Sequence, residues 1–142
     1  MKNVAHILAR KGNNVISVNP DFHVLAALGI MAEKNIGSVV VMDGENYCGL
    51  LTERDYARKV ILKGKTSADT RVGDIMSTDL PRISPSDTLE QCMRLMSEAN
   101  IRYLPVFEND TLSGIISIND VVKETILDQQ HTIQQLHNYI QS

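Results

Sequence analysis

Gly114-Ile115-Ile116-Ser117-Ile118-Asn119-Asp120 is the stretch of this sequence that decides the fold. Isoleucine favours β-strands and serine is a preferred N-cap, so the stretch predicts a strand that runs directly into a helix. The same construction occurs earlier in the chain, as Gly49-Leu50-Leu51-Thr52-Glu53-Arg54-Asp55. Two such copies in a chain of 142 residues predict a tandem repeat.

The correspondence extends upstream of both copies without a gap. Apolar periodicity predicts a helix over Phe22–Lys34, and two apolar runs, Val39–Met42 and Tyr47–Thr52, predict a hairpin. Each repeat is therefore predicted to run strand, helix, strand, strand, helix. The two copies are offset by 65 residues throughout. The residues that are identical at this offset are Pro20 and Pro85, Met31 and Met96, Glu33 and Glu98, Asn35 and Asn100, Ile36 and Ile101, Val41 and Val106, Gly49 and Gly114, and Asp55 and Asp120.

The chain divides into five predicted segments. Neither repeat is large enough to bury both faces of its sheet alone, so we expect an α/β fold with the two units packed sheet to sheet. Ala5, Ile7 and Leu8 are the predicted apolar part of an N-terminal helix over Val4–Lys11. The segments are 1–14 with the N-terminal helix, 15–65 as unit 1, 66–80 as a linker with a short helical turn, 81–125 as unit 2, and 126–142 as an extension of a long C-terminal helix.

The C-terminal helix carries an apolar stripe of Val122, Ile126, Ile133, Leu136 and Ile140, interrupted by Gln129. Two interpretations remain open. The helix packs on its own domain, or its approximate heptad spacing forms a seam for a second subunit.

Composition argues against several classes of protein. A net charge of −3 argues against nucleic-acid and anionic-membrane binders, and no apolar run approaches the length of a membrane span. The N-terminus lacks the apolar region of a secretory signal, and Cys48 and Cys92 are predicted to be reduced thiols, which together predict a cytoplasmic protein. The four histidines have no metal-ligand spacing and no activated nucleophile accompanies the carboxylates. Neither a metal site nor an enzyme is therefore predicted.

The repeated Thr52-x-x-Asp55 and Ser117-x-x-Asp120 motifs have two interpretations. Each motif fits a capping box, in which the hydroxyl and the acid bond to backbone N–H groups at the helix start. The same geometry also fits a nucleoside phosphate, because a helix N-terminus attracts anions and a carboxylate accepts from two ribose hydroxyls. Arg54 and Arg102 are candidates to pair with phosphate, and the alternative for each is a solvated surface charge.

The two units resemble CBS domains, and together they resemble a CBS pair, or Bateman module. In the second copy, the resemblance is carried by 85–89, Asn100-Ile101-Arg102-Tyr103-Leu104-Pro105-Val106 and 114–120. In the first copy it is carried by Pro20-Asp21, 35–41 and 49–55. The first copy departs from the family pattern at Val40, where the second has Pro105, and at Arg54, where the second has Asn119. The chain is similar to small stand-alone bacterial CBS-pair proteins.

The resemblance implies that an adenine nucleotide binds in clefts between the units. Asp55 and Asp120 would hold ribose hydroxyls, and Thr52 and Ser117 would lie beside ribose and phosphate. Strand-entry and neighbouring residues would line the base pockets, and Arg54 and Arg102 are the phosphate candidates. The complete set of predicted nucleotide-binding residues is Ile16, Ser17, Val18, Ser38, Val39, Thr52, Arg54, Asp55, Ile83, Ser84, Arg102, Tyr103, Leu104, Pro105, Ser117, Ile118, Asn119 and Asp120.

The predicted function is that of a non-catalytic sensor. The resemblance implies AMP first, with NAD, ADP or ATP as alternatives, a homodimer, and an unidentified protein that responds to the ligand-dependent shift of the two units. One alternative is a structural or protein-interaction module that binds no nucleotide. The other is a small nucleotide-processing enzyme.

Overall fold

The structure is a computed structural model that describes residues 2–12 and 14–141. The predicted end segments also contain Met1, Asn13 and Ser142, which lie outside the described residues. The α-helices of the described part are α1 (Val4–Lys11), α2 (Val24–Lys34), α3 (Glu53–Lys59), α4 (Val72–Ile75), α5 (Leu89–Ala99) and α6 (Ile118–Gln141), and a 3₁₀ turn spans Ile61–Lys63. The strands are β1 (Ser17–Val18), β2 (Ser38–Asp43), β3 (Asn46–Thr52), β4 (Tyr103–Glu108) and β5 (Thr111–Ser117).

The chain forms two compact units, which are not the two halves of the sequence. The first unit comprises Asn14–Leu80, and the second comprises Met1–Asn13 together with Pro81–Ser142. The predicted linker 66–80 therefore belongs to the first unit, and the N-terminal helix belongs to the second. Among the described residues, no helix has the length and apolar character of a membrane span.

The sheets confirm the predicted hairpins. In the first unit, β1 pairs in parallel with β2, and β2 pairs antiparallel with β3. In the second unit, β4 pairs antiparallel with β5. The register shifts between Val41 and Met42 in one hairpin and between Val106 and Phe107 in the other, which are equivalent positions of the repeat.

The predicted first strand of the second repeat is very short. It is reduced to a parallel bridge between Ile83 and Val106, in which the N–H of Ile83 donates to Pro105 and the N–H of Phe107 donates to Ile83. Pro81 and Pro85 flank this bridge, and a proline has no N–H to extend a ladder. β1 is also short, because only Ser17 and Val18 pair with β2.

Both central helices end at an asparagine in the left-handed conformation. Asn35 closes α2 at φ 54° and Asn100 closes α5 at φ 53°. Asparagine tolerates this conformation better than most residues and is a common C-cap. The repeated Asn-Ile pair therefore ends the helix and directs the chain into the next strand.

Each unit is completed by the helix that precedes the other repeat in sequence. The N–H groups of Val4 and Ala5 in α1 donate to the carbonyls of Asp87 and Pro85 in the second unit. In the first unit, Val72 and Gly73 of α4 donate in the same way to Phe22 and Pro20, the equivalents of Asp87 and Pro85 in the first repeat. Helices α1 and α4 therefore have equivalent roles: α1 packs on the second repeat and α4 on the first.

Each unit has its own apolar core. The buried face of α1 consists of Val4, Ile7 and Leu8, whereas Ala5, which belongs to the predicted apolar part of the helix, is exposed. Cys92 is a buried free thiol whose pKa is raised to about 11 by burial and by the nearby charge of Asp87. The second core contains Val4, Ile7, Leu8, Ile83, Leu89, Cys92, Met96, Leu104, Val106, Ile116 and Val121. The first contains Val18, Val24, Ala27, Met31, Val39, Val41, Leu51, Val60, Val72 and Ile75.

Candidate functional site

The junction of β5 and α6 has the capping box that the sequence predicts. The N–H of Ser117 donates to Oδ2 of Asp120 at 2.8 Å, and the N–H of Asp120 donates to Oγ of Ser117 at 3.2 Å. These reciprocal bonds fix the carboxylate at the N-terminus of a 24-residue helix. The helix dipole and the carboxylate therefore meet at one place, which both interpretations of the motif require.

A lysine from α1 completes this junction. The ammonium of Lys11 lies 2.6 Å from Oδ2 of Asp120 and donates to the carbonyl of Ile115 at 2.9 Å. Burial by itself raises the pKa of Asp120, but the hydrogen bonds from Lys11 and Ser117 and the positive charge of Lys11 outweigh it. The pKa of Asp120 is therefore lowered, and the side chain is a carboxylate at neutral pH.

The junction of β3 and α3 is built on the same plan but is more closed. The N–H and the hydroxyl of Thr52 donate to Oδ2 of Asp55 at 3.0 and 3.1 Å. Ser77 donates to Oδ1 at 2.8 Å, and the ammonium of Lys59 lies 3.0 Å from the same oxygen. Groups of the protein therefore occupy both oxygens of Asp55.

The carboxylates of Asp55 and Asp120 differ in their exposure and in how many of their oxygens accept from the donors described above. The side chain of Asp55 is 7% exposed and that of Asp120 is 22% exposed. The hydrogen bonds that Asp120 accepts from Lys11 and Ser117 both end on Oδ2, so neither of these donors uses Oδ1. Of the two junctions, the second is therefore the better candidate to bind a ligand.

Strand register places two predicted residues beside the junctions, and backbone hydrogen bonds link the preceding loops to the helix starts. Ser38 is paired with Thr52, and Tyr103 is paired with Ser117. The first N–H of each helix donates to the loop before the preceding hairpin, from Glu53 to Gly37 and from Ile118 to Arg102. Each unit thus brings the loop before the hairpin to the start of the helix.

Several residues predicted to line the base pockets have side chains in the apolar cores. The side chains of Val18 and Val39 lie in the first core, and those of Ile83 and Leu104 lie in the second. Pro105 is also buried, so a ligand would meet these residues through their backbone rather than their side chains. Ile16, Ser17 and Ser84 are half-buried or exposed at the strand entries.

The remaining predicted residues differ in exposure. Arg102 and Asn119 are exposed beside the second junction, whereas Ile118 is half-buried against the second core. Arg54 is half-buried in the first turn of α3 and has contacts of its own. Arg102 is therefore the more accessible of the two arginines predicted to bind phosphate.

Sequence reasoning missed three residues of the junctions. Lys59 lies one helical turn after Asp55 on α3, a spacing that places two side chains on one helix face and could have identified the pair. Ser77 and Lys11 come from segments far away in sequence, and no local pattern connects them to Asp55 or Asp120. Among residues 2–12 and 14–141, no group of three or more His, Cys, Asp and Glu side chains is placed to hold a metal ion.

The CBS domain family model matches residues 4–62 and 72–126. The chain belongs to the CBS domain family. The two matches begin at the first residues of α1 and α4, Val4 and Val72. CBS domains are generally regulatory modules that bind adenine nucleotides.

Similar proteins are also described as containing CBS domains. The chain is 38% identical over 126 residues to the mitochondrial CBS domain-containing protein CBSX3 of Arabidopsis thaliana, covering 85% of this chain and 61% of that protein. It is 32% identical over 107 residues to the CBS domain-containing protein YhcV of Bacillus subtilis, covering 75% and 76% of the two chains. A solved CBS-domain protein from Burkholderia ambifaria, proposed to act in signal transduction, superposes with a TM-score of 0.86 at 43% identity, covering 90% and 96%.

Proposed function

We propose that this CBS-domain chain is a non-catalytic sensor that binds an adenine nucleotide at the β5–α6 junction. The observation that carries the proposal is the Asp120 carboxylate, which Ser117 fixes at a helix N-terminus and which is partly exposed, with Oδ1 used by neither Ser117 nor Lys11. Vicinal ribose hydroxyls would donate to this carboxylate, and the N-terminus of α6 would face the phosphate. AMP is the first candidate, with NAD, ADP and ATP as alternatives.

Binding would act by a population shift. A nucleotide that binds one arrangement of the two CBS units more tightly than another favours that arrangement, and a partner protein, as yet unidentified, would respond to it. No turnover of the nucleotide is required. In this proposal, the first junction is the weaker site, because Thr52, Lys59 and Ser77 occupy the carboxylate of Asp55.

The test is isothermal titration calorimetry of the wild-type chain with AMP, ADP, ATP and NAD. A hydrogen bond between a ribose hydroxyl and a carboxylate contributes roughly 1.5–3 kcal/mol, so Asp120→Asn should weaken binding about 10- to 150-fold. Asp55→Asn is the matched variant in the other repeat and should weaken it less. Unchanged affinity in the Asp120→Asn variant would rule out the site.

The alternative of an interaction module has one observation in its favour. The protein's own side chains fill the Asp55 junction, as expected of a purely structural helix cap. If the module binds no nucleotide, none of the four nucleotides will raise the thermal unfolding temperature. Incubation with ATP or NAD, followed by chromatography, tests the enzyme alternative, and the sensor proposal predicts that both nucleotides are recovered unchanged.

We also propose that the chain forms a homodimer through α6. Val122, Ile126 and the apolar residues that follow in the stripe are 43–80% exposed, and every side chain from 129 to 141 is exposed. Ile126, Ile133 and Ile140 recur at heptad spacing, as in a two-stranded coiled coil. Residues 129–141 contain no Asp, Glu, Lys or Arg, so a second copy of this segment would meet no like charge.

A further inference from the structure

The two repeats bring a lysine to their junction carboxylates by different routes. In the first unit, Lys59 lies one turn after Asp55 on α3, 3.0 Å from Oδ1, and also donates to the carbonyl of Ile75 at 2.9 Å. The equivalent position, one turn after Asp120, is Glu124, so the helix of the second repeat has an acid where the first has a base. The second repeat therefore cannot neutralise Asp120 from the same position.

The N-terminal helix supplies the missing cation. Helix α1 continues to Lys11, whereas its counterpart α4 ends at Ile75. The additional turn places the ammonium of Lys11 2.6 Å from Oδ2 of Asp120.

The ammonium of Lys11 also makes a backbone contact that the N–H of Ser77 makes in the first unit. It donates to the carbonyl of Ile115, which corresponds to Leu50 in the first repeat, where the N–H of Ser77 is the donor. Lys11 thus makes both the ion pair with the junction acid and the bond to the strand carbonyl, which Lys59 and Ser77 make separately in the first unit.

Glu124 helps to hold this arrangement. Its side chain is 3% exposed, is paired with Arg10 of α1, and lies 3.5 Å from the ammonium of Lys2. A buried carboxylate is stable only when it is paired, so these cations anchor α1 to α6 beside the junction. Arg10 is engaged by Glu124, and Lys11 is left to face Asp120.

The charge of Asp120 creates a problem for a phosphorylated ligand. A carboxylate that binds ribose lies within about 10 Å of the 5′-phosphate, a distance over which two negative charges still repel each other at moderate salt. An ammonium has three donors, and Lys11 uses two of them on Asp120 and Ile115. The side chain of Lys11 is 36% exposed, so its third donor can reach an anionic ligand.

We propose that Lys11 determines the preference of the second junction for nucleoside phosphates over nucleosides, by cancelling the charge of Asp120 and donating to the phosphate. This proposal rests on the proposed function, since it assigns a residue to the same site. It also gives α1 a role in ligand selection beyond its role in the second core.

The test compares AMP with adenosine, which differs from it by the phosphate. Calorimetry on the wild-type chain, Lys11→Met and Lys11→Arg measures both affinities, and Lys34→Met is a control with the same change in net charge in the other unit. Methionine preserves most of the length of the lysine side chain, and thermal unfolding verifies that each variant is folded.

Lys11→Met should weaken AMP binding about 5- to 10-fold, leave adenosine binding unchanged or tighter, and reduce the dependence of AMP affinity on salt. Lys11→Arg should retain most of the wild-type preference for AMP, and Lys34→Met all of it.

An equal loss of AMP and adenosine affinity in Lys11→Met would overturn the inference, because it would show a purely structural role. AMP affinity in Lys11→Met equal to or above that of the wild type would overturn it while leaving nucleotide binding intact. A wild-type chain that binds neither ligand would overturn the proposed function, and this inference with it.

Discussion

Glu124 occupies the position in the second repeat that Lys59 occupies in the first, one helical turn after the junction acid. Lys59 pairs with Asp55 on its own helix, whereas Glu124 pairs with Arg10 and Lys2 of the N-terminal segment. This reversal of charge makes the second junction depend on α1, and it makes the two copies of one motif unequal.

Because the two junctions differ in burial and in donors, substitutions of Asp55 and Asp120 should have different effects on stability. Asp55→Asn removes the charge of a buried group that accepts from Thr52, Ser77 and Lys59, and should lower the free energy of unfolding by about 1–3 kcal/mol. Asp120→Asn should lower it by about 1 kcal/mol or less, because its ion pair is partly exposed. Urea unfolding of both variants without nucleotide measures the difference. The ranking is wrong if Asp120→Asn proves the more destabilising.

The lowered pKa of Asp120 predicts a pH dependence of stability. The ordinary value is 3.8, and the folded state holds the carboxylate ionised to lower pH than the unfolded chain does. The contribution to stability is therefore complete above the unfolded pKa and is lost as the pH falls through the lowered folded pKa.

This contribution can be isolated by urea unfolding of the wild type and Asp120→Asn at about pH 5, 4 and 3. The wild-type advantage should shrink toward pH 3. A difference in unfolding free energy that stays constant over this range would contradict the assignment.

Two equivalent buried glycines should respond differently to alanine. A Cβ added at Gly49 would lie 2.5 Å from the carbonyl oxygen of Ser77, which belongs to the backbone and is hydrogen-bonded. At Gly114, the Cβ would meet a methyl of Leu8 at 2.8 Å, at the end of a side chain that can rotate. We therefore expect Gly49→Ala to cost about 1–3 kcal/mol and Gly114→Ala less.

Gly29 is the control for these substitutions. It lies in α2, and apart from its chain neighbours and the backbone of its own helix no atom lies within 4 Å of an added Cβ, so Gly29→Ala should stabilise the chain by roughly 0.5–1 kcal/mol. Urea unfolding of the three variants gives the order. Equal losses at Gly49 and Gly114 would show that Leu8 is held as rigidly as the backbone.

The α6 stripe predicts a dimer that a single charge disrupts. Ile133 is 65% exposed at the centre of the stripe, and Ile133→Glu would place two like charges in the seam of a homodimer. Light scattering after size-exclusion chromatography should show a dimeric wild type and a monomeric variant. His131→Glu introduces the same charge on the opposite face of α6 and should remain dimeric. A dimer that survives Ile133→Glu would place the interface elsewhere.

Much of each repeat follows from the sequence because its signals are local. Apolar runs predict the hairpins and helical apolar periodicity predicts the helices, and the structure shows that two of these helices end at the repeated Asn35 and Asn100. The Thr52 and Ser117 motifs predict both capping boxes. The base-pocket roles of Val18 and Ile83 stay predictions, because apolar residues at strand entries suit a core equally well and both side chains lie in one.

By itself, then, the sequence determined the repeat, its secondary structure and the two carboxylates at helix starts, because contacts within a few residues encode each of these. Only the tertiary structure decided that α1 completes the second unit, that Ser77 closes Asp55 and that Lys11 faces Asp120. The reason is physical: Lys11 and Asp120 are brought together by the packing of Val4, Ile7 and Leu8 into a core formed mainly by residues after Pro81. No pattern near either residue records that packing.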